Sequence, residues 1–141
     1  MPTLTANLDV AIPTFKPSRL RLWAGHILTG IPTLFLGMDA AMKLLRADVA
    51  VKGTAELGYP DGTILPLGIV ELFALVALVI PRTRVLGAVI WTGYLGGAIA
   101  THVRLGHPLL THTLFPIWVA MMIWGGLYLR DRRVRDAIAA P

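Results

Sequence analysis

Four long apolar stretches, separated by short polar segments, dominate the pattern of hydrophobic and polar positions. They cover about residues 20–45, 64–80, 85–103 and 114–130. An α-helix needs roughly 20 apolar residues to cross the hydrocarbon core of a bilayer, and each stretch is close to that length. Because the connections are short, consecutive helices are expected to run antiparallel. The pattern therefore predicts an all-α integral membrane protein, a four-helix bundle with up-down-up-down topology.

The connection between the first two spans, residues 46–63, is the longest internal polar segment. Three glycines and a proline interrupt it, and Val49, Val51 and Leu57 are spaced loosely among its polar residues. This pattern predicts a surface connection that contains a short amphipathic helix at the membrane interface. The spans and connections together form one membrane domain over residues 19–135.

The two ends of the chain are predicted to be tails. Residues 1–18 contain an aspartate and three prolines, and they lack the basic start, apolar run and small-residue cleavage site of a signal peptide. We interpret them as a cytosolic N-terminal tail. Residues 136–141 follow the last basic cluster and are interpreted as a C-terminal tail.

The composition supports a location inside a membrane. Of the 141 residues, 55% are hydrophobic and only 15% are charged, and the mean hydropathy is +0.67. Soluble domains carry about 25% charged residues, so the composition excludes an ordinary soluble fold and leaves no room for a separate soluble domain. The chain contains no cysteine, which excludes thiol catalysis, disulfides and thiolate metal sites built from this chain.

The basic residues flank the apolar stretches and indicate an orientation. With four spans, both termini and the connection between spans two and three share one face, which holds nine of the thirteen Lys and Arg residues. Because cytoplasmic loops are enriched in Lys and Arg, we expect both termini in the cytoplasm and the protein in the bacterial cytoplasmic (inner) membrane. Lipid headgroups account for the excess positive charge, so nucleic acid is not an expected partner.

Ionisable side chains inside the predicted spans are the first candidates for function. Asp39 and Lys43 fall in the last turns of the first span, and His102 falls at the same end of the third. Glu71 lies about 10 Å below the start of the second span. A charged group at such depth needs a partner, a proton or water, so an intramembrane carboxylate is a functional candidate. The candidate catalytic residues are Asp39, Lys43, Glu71 and His102.

A structural explanation competes with this interpretation for the first pair. Asp39 and Lys43 are four residues apart, so they share a helix face and can form an ion pair. Lys43 can also extend its ammonium toward the interface while its methylene chain stays in the membrane. The sequence leaves both explanations open.

The segment TGYLGGAIATHVRLGHPLLTHTLFP contains three of the four histidines. His102, His107 and His112 recur every five residues across a connection with a glycine and a proline, rather than on one helix face. No metal-binding histidine motif is present, so no metal ligands are assigned. Hydrogen bonding to a ligand or general acid/base catalysis suits these imidazoles better.

The third span also carries small residues and aromatic side chains. Gly93 and Gly97 have the GxxxG spacing that lets helices approach closely, and we interpret it as packing within the bundle rather than dimerisation. Tyr94 lies among these small residues, and its hydroxyl needs a partner when it is buried. The candidate ligand-binding residues are Tyr94, Arg104, His112 and Trp91.

Several segments together resemble a known family. They are PRTRVLGAVIWTGYLGGAIATHVRLGHPLLTHTLFP with the later WGGLYLRD, the earlier FLGMDAAMKLL, and LGYPDGTILPLGIVEL between them. Over about residues 20–135 the chain resembles the DoxX-like family of small bacterial membrane proteins. The resemblance implies a four-helix membrane bundle. The family takes its name from a subunit of a thiosulfate:quinone oxidoreductase, which makes quinone the one cofactor candidate. The positions that match the family pattern include Asp39, Lys43, Glu71, Gly93, Tyr94, Gly96, Gly97, His102, Arg104, His112 and Pro116.

Three functions are consistent with these residues. The leading hypothesis is an intramembrane polar pocket that binds a lipophilic small molecule, quinone-like or isoprenoid-like, in a redox-linked subunit. The second is a small membrane enzyme that uses acid/base chemistry for isomerisation, cyclisation or epoxide opening. The third is a non-catalytic assembly or stability factor. The expected partners are the lipid bilayer and the lipophilic ligand, with a protein partner or a homo-oligomer left open.

Overall fold

The computed structural model describes residues 18–139, and this part of the chain is helical almost throughout. A 3₁₀ turn, Asp61–Thr63, leads into the third helix, and a π-helical turn, Leu109–Thr113, leads into the fifth. The predicted N-terminal tail lies outside the described residues except for Ser18. The helices are α1 (Arg19–Leu44), α2 (Asp48–Glu56), α3 (Ile64–Val79), α4 (Arg84–Arg104), α5 (Leu114–Arg130) and α6 (Arg132–Ala139).

Four of these helices are long and apolar enough to cross a membrane, namely α1, α3, α4 and α5. This confirms the prediction of an all-α four-helix membrane bundle. The observed helix ends lie close to the predicted ones. The largest difference is at the fourth span, where the π-helical turn extends the span back to Leu109 and shortens the predicted connection.

Helices α1, α3, α4 and α5 form a closed ring in which each helix contacts two others. Helix α1 packs against α3 and α5, and α4 completes the ring between those two. The centre is filled by buried apolar side chains, among them Trp91, Leu78 and Ile123. Other large apolar side chains, such as Leu34 and Trp118, lie exposed on the outside of the ring. In a membrane this outer surface contacts lipid, so its exposure costs little.

Two glycines permit the closest helix contacts. A Cβ on Gly126 in α5 would lie 2.8 Å from the carbonyl oxygen of Gly25 in α1, and nearer still to the hydroxyl of Thr29. A Cβ on Gly87 in α4 would lie 2.6 Å from the Cα of Leu78 in α3. Contacts this short leave no room for a side chain, so these glycines set the helix spacing.

The predicted packing role of the GxxxG pair in α4 is wrong. A Cβ on Gly93 or Gly97 would have no described atom of another element within 4 Å. Both glycines instead line a cavity inside the bundle. The spacing alone could not distinguish a helix that meets a neighbour from one that faces a void, since both favour small residues.

Helix α2 lies in the connection between the first two spans, as predicted, and contacts both α1 and α3. Arg46 precedes it with a φ of 52°, a left-handed conformation that turns the chain out of α1. The guanidinium of Arg46 donates to both carboxylate oxygens of Asp61, at 2.9 and 2.8 Å. This exposed pair joins the two ends of the connection that carries α2.

Helix α6 was not predicted, and it includes the first four residues of the predicted C-terminal tail. Asp131 stands between α5 and α6 and accepts a hydrogen bond from the Arg133 backbone N–H at 3.0 Å, which caps the start of α6. Its carboxylate also lies 3.6 Å from the Arg84 guanidinium at the start of α4. The last residues, 140–141, lie outside the described part of the chain.

Candidate functional site

A cavity of about 630 Å³ lies between the helices at one end of the bundle. We call this the α2 end, the end where α1 and α4 finish and where α3 and α5 begin. Helix α2 lines the cavity on one side, and residues of α1, α3, α4, α5 and the connections line the rest. Most of the lining is apolar. Its volume falls within the range of roughly 300–1,000 Å³ that small-molecule sites occupy.

One wall of the cavity carries a charged network centred on Lys43. The Lys43 ammonium donates to Oδ2 of Asp39 in a short contact, and to Oε1 of Glu71 at 2.6 Å. The Tyr94 hydroxyl donates to the same Glu71 oxygen. Glu71 is 0% exposed, Lys43 is 12% exposed and Asp39 is 32% exposed. Asp39, Lys43 and Tyr94 line the cavity, whereas Glu71 lies behind them.

Each member of the network is placed by a local feature of its helix. Asp39 and Lys43 lie one turn apart on α1, as their spacing predicts. Glu71 comes from α3, where Gly68 lies one turn earlier. A Cβ on Gly68 would lie 3.1 Å from the Cβ of Lys43, so this glycine lets α3 approach the lysine. Tyr94 completes the network from α4, so three helices meet at one set of hydrogen bonds.

The network contains two carboxylates and one ammonium in a largely apolar environment. Charges removed from water require partners, and the Lys43 ammonium donates hydrogen bonds to both carboxylates, Asp39 and Glu71. The Tyr94 hydroxyl provides a second donor to Glu71. The other Glu71 oxygen, Oε2, is buried and accepts no hydrogen bond from the described residues. The wall is therefore richer in acceptors than in donors.

The three histidines meet at the cavity. The ring centroids of His102, His107 and His112 lie 5.1 to 5.3 Å from one another, and the Nδ1 atoms of His102 and His107 are 2.8 Å apart. Nδ1 of His112 lies 2.8 Å from the Thr111 hydroxyl. Among residues 18–139, no three metal-ligating side chains are grouped so that they could hold a metal ion.

A turn at Gly106 brings two of these rings together. Gly106 has a φ of +67°, and its N–H donates to Val103 while the N–H of His107 donates to the carbonyl of His102. This pair of hydrogen bonds is the Schellman motif that ends many helices, and it favours glycine at the left-handed position. The turn folds His107 back beside His102, a contact that the five-residue spacing did not indicate.

Two predicted ligand-binding residues lie away from the cavity. Trp91 is completely buried in the apolar core, where its ring packs edge-to-face on Tyr94 with centroids 5.5 Å apart. Arg104 is exposed at the end of α4, and it donates to the carbonyl of Leu57 at 3.1 Å. Trp91 therefore supports the Tyr94 ring from behind, and Arg104 fastens the end of α4 to the connection after α2. Of the other candidates, Glu71 lies behind the cavity wall, and the rest line the cavity, namely Asp39, Lys43, Tyr94, His102 and His112.

The structure adds residues that the sequence did not single out. Tyr59 lines the cavity, and its hydroxyl lies 2.8 Å from the hydroxyl of Thr101 in α4. Because Thr101 donates its own hydrogen to the carbonyl of Gly97, Tyr59 acts as the donor of this pair. Phe35 and Phe115 also line the cavity and pack edge-to-face at 5.4 Å. None of these contacts has a signal in the sequence, since each joins distant segments.

The comparison with known families gives one match. A family model described as the DoxX-like family matches residues 27–126, which include the whole charged network and the three histidines. No curated protein matches the chain. No solved structure matches it. Since the family model covers well over half of the residues, the chain belongs to the DoxX-like family.

Proposed function

We propose that this membrane protein binds a lipophilic small molecule with a polar head, quinone-like or isoprenoid-like, in the cavity at the α2 end. The single observation that carries the proposal is the position of the charged network in the wall of an otherwise apolar cavity. Ligand sites usually combine a large apolar lining with a few polar groups that orient the ligand. Asp39, Lys43 and Tyr94 would contact the head, and the apolar lining would hold the tail.

The glycines of α4 favour ligand binding over a purely structural role. Protein interiors are close-packed, with few voids larger than a water molecule. Gly93 and Gly97 nevertheless leave room beside them that no described side chain fills. An ion pair that only holds the bundle together would need no such space, whereas a binding site does.

A second candidate function is acid/base catalysis on the bound molecule. It is favoured by the adjacency of an ammonium donor, Lys43, and a carboxylate acceptor, Asp39, on the cavity wall. Such a pair can give a proton to one atom of a substrate and accept one from another. Thiol redox chemistry, in contrast, would have to be supplied by a partner subunit, because the chain contains no cysteine.

The cellular setting is part of the proposal. We place the bundle in the bacterial cytoplasmic (inner) membrane with both termini in the cytoplasm, because nine of the thirteen basic residues lie on that face. The α2 end and its cavity then belong to the outer half of the bilayer. A lipophilic ligand would reach the cavity from the membrane. A protein partner or a second copy of the chain would complete the assembly.

The experiment compares leucine substitutions at two adjacent positions of α4. Gly97→Leu places a side chain in the cavity, whereas Gly96→Leu, its neighbour, lies exposed outside the cavity lining. Neither new Cβ would meet another element within 4 Å, so both variants should fold. Each protein is purified in nanodiscs, and its co-purified small molecules are measured by mass spectrometry.

Under the proposal, a compound that co-purifies with the natural protein and with Gly96→Leu is lost from Gly97→Leu. Equal amounts of every compound in the two variants would contradict binding in the cavity. The matched helix position removes general effects of an added leucine in α4, and thermal unfolding of both variants checks that they are equally folded.

A further inference from the structure

We propose that the ligand's head carries a hydroxyl group that donates a hydrogen bond to Asp39, so that the site prefers an alcohol or a phenol to the matching ether or ketone. This inference rests on the proposed function, because it concerns the ligand of the same cavity. It follows from the balance of donors and acceptors that the charged network presents.

The donors of the network are largely used by its own members. Tyr94 has one O–H, and it donates to Glu71. Lys43 has three N–H groups, of which one is directed to Asp39 and one to Glu71. Only one N–H of Lys43 is therefore left for a ligand. A head that only accepts hydrogen bonds would have this single donor to bind at the charged wall.

Acceptors, in contrast, remain available on the cavity side. Oδ1 of Asp39 accepts none of the hydrogen bonds formed among residues 18–139, and Asp39 lines the cavity. The Tyr94 oxygen also keeps lone pairs after it donates its hydrogen. A ligand hydroxyl is able to donate to Asp39 and accept from the remaining N–H of Lys43. One hydroxyl group therefore pairs with both the free acceptor of Asp39 and the free donor of Lys43.

The formal charges point the same way. Three carboxylates lie in or directly behind the cavity wall, namely Asp39, Glu56 and Glu71, against the one ammonium of Lys43. Glu56 reaches the lining from α2. The negative end of a carbonyl dipole is disfavoured beside such an excess of carboxylates, and the positive end of an O–H is favoured. Hydrogen bonds to charged acceptors are also stronger than those between neutral groups.

The remainder of the lining suits an apolar tail. Leu36, Leu95 and Val119 are buried core residues that also border the cavity, and Phe35 and Phe115 form an aromatic pair on its side. These side chains offer dispersion contacts but no hydrogen bonds. The ligand class is thus a hydroxyl-bearing lipid, with the hydroxyl at the charged network and the hydrocarbon against the apolar walls.

The test uses a probe pair that differs only at the head: 4-dodecylphenol and its methyl ether. Binding to the natural protein in nanodiscs is measured by calorimetric titration, and titration of empty nanodiscs corrects for partition into lipid. A hydrogen bond to a charged group contributes about 1.5–3 kcal/mol, so the phenol is expected to bind at least tenfold more tightly than the ether. Because the comparison needs no variant, it stays decisive if a substitution impairs folding.

Two variants then assign the preference to its residue. Asp39→Asn weakens the acceptor and is expected to reduce the phenol preference to less than threefold. Asp48→Asn, on the exposed start of α2 and outside the cavity lining, is expected to keep the full preference. Gly97→Leu should abolish saturable binding of both probes, which shows that they occupy the cavity.

Each other outcome has a defined meaning. Equal binding of phenol and ether, or tighter binding of the ether, overturns the inference and leaves the proposed function standing. The inference is also overturned, with the proposed function left standing, if dodecyltrimethylammonium binds more tightly than the phenol. This cation has no N–H or O–H donor, so its tighter binding would show that charge rather than hydrogen-bond donation determines affinity. Failure of all three probes to bind saturably, with no co-purified compound lost from Gly97→Leu, overturns the proposed function as well.

Discussion

Replacing Lys43 by methionine tests the charged network most directly. Methionine matches the unbranched stem of lysine as far as Cε, with a sulfur in place of one methylene, and it lacks the ammonium. In the natural protein the ammonium donates to Glu71, which is 0% exposed, and to Asp39, which is 32% exposed. After the substitution Glu71 keeps one donor, the Tyr94 hydroxyl, and its carboxylate remains buried without a counter-charge.

The expected magnitude follows from this burial. Removing one partner of a buried ion pair typically costs about 3–5 kcal/mol, because the other charge stays buried and uncompensated. Asp39 adds little to this cost, since it is partly exposed and can be hydrated through the cavity. We therefore expect Lys43→Met to lower the free energy of unfolding by about 3–5 kcal/mol.

A second substitution should reverse most of that loss. Glu71→Gln in the Lys43→Met background removes the buried charge, and the glutamine carbonyl can still accept from Tyr94. Relative to Lys43→Met, the double variant should regain about 2 kcal/mol or more of the free energy of unfolding. A coupling energy of this size is expected for residues in one hydrogen-bond network.

The exposed Arg46–Asp61 pair provides the control, with 43% and 68% exposure. Arg46→Ala should cost about 0–1 kcal/mol.

The assay is equilibrium unfolding in mixed micelles of dodecyl maltoside and sodium dodecyl sulfate. Tryptophan fluorescence reports the transition, because Trp91 is buried in the core beside the network. The reasoning is refuted if Lys43→Met costs no more than Arg46→Ala. It is also refuted if Glu71→Gln adds its cost to that of Lys43→Met instead of relieving it.

Three further predictions concern packing, the cover of the cavity and orientation. Gly126→Ala should destabilise the bundle by about 1–3 kcal/mol because its Cβ meets α1, whereas Gly125→Ala, with no atom of another element within 4 Å, should have little effect on thermal unfolding. Tyr59→Phe should lower the free energy of unfolding by about 1 kcal/mol through the lost hydrogen bond to Thr101. It should also make the amides of α2, the helix that covers one side of the cavity, exchange faster with deuterium than in the natural protein. Unchanged exchange would contradict a role of Tyr59 in holding α2 against α4. A C-terminal alkaline phosphatase fusion should be inactive and the matching green fluorescent protein fusion bright, and the reverse pattern would place the α2 end in the cytoplasm.

The local pattern of the sequence was enough to predict the elements. Apolar stretches of membrane-spanning length arise from each segment's own composition, so the four spans were found with nearly correct ends. The short helix between the first two spans was also predicted. The ion pair of Asp39 and Lys43 followed from a four-residue spacing, which places two side chains together on any helix.

The partners of the deeper residues could not be predicted in the same way. Position along the spans placed Lys43 in the last turns of the first span and Glu71 about 10 Å below the start of the second, but depth does not give the rotation of a helix about its axis. Rotation decides that Tyr94 donates to Glu71 while Trp91, three residues earlier, turns into the core. The same lack of information made the GxxxG interpretation wrong, since Gly93 and Gly97 face the cavity.

The sequence by itself determined a membrane bundle of four helices with a polar set near one end, because hydropathy and helix periodicity act within each segment. The tertiary structure alone decided that this set borders a cavity, that α2 covers it and that Tyr59 ties the cover to α4. These features depend on contacts between residues far apart in the chain. Such contacts depend on how the helices pack: they approach closely at Gly126 and Gly87, whereas Gly93 and Gly97 face the cavity.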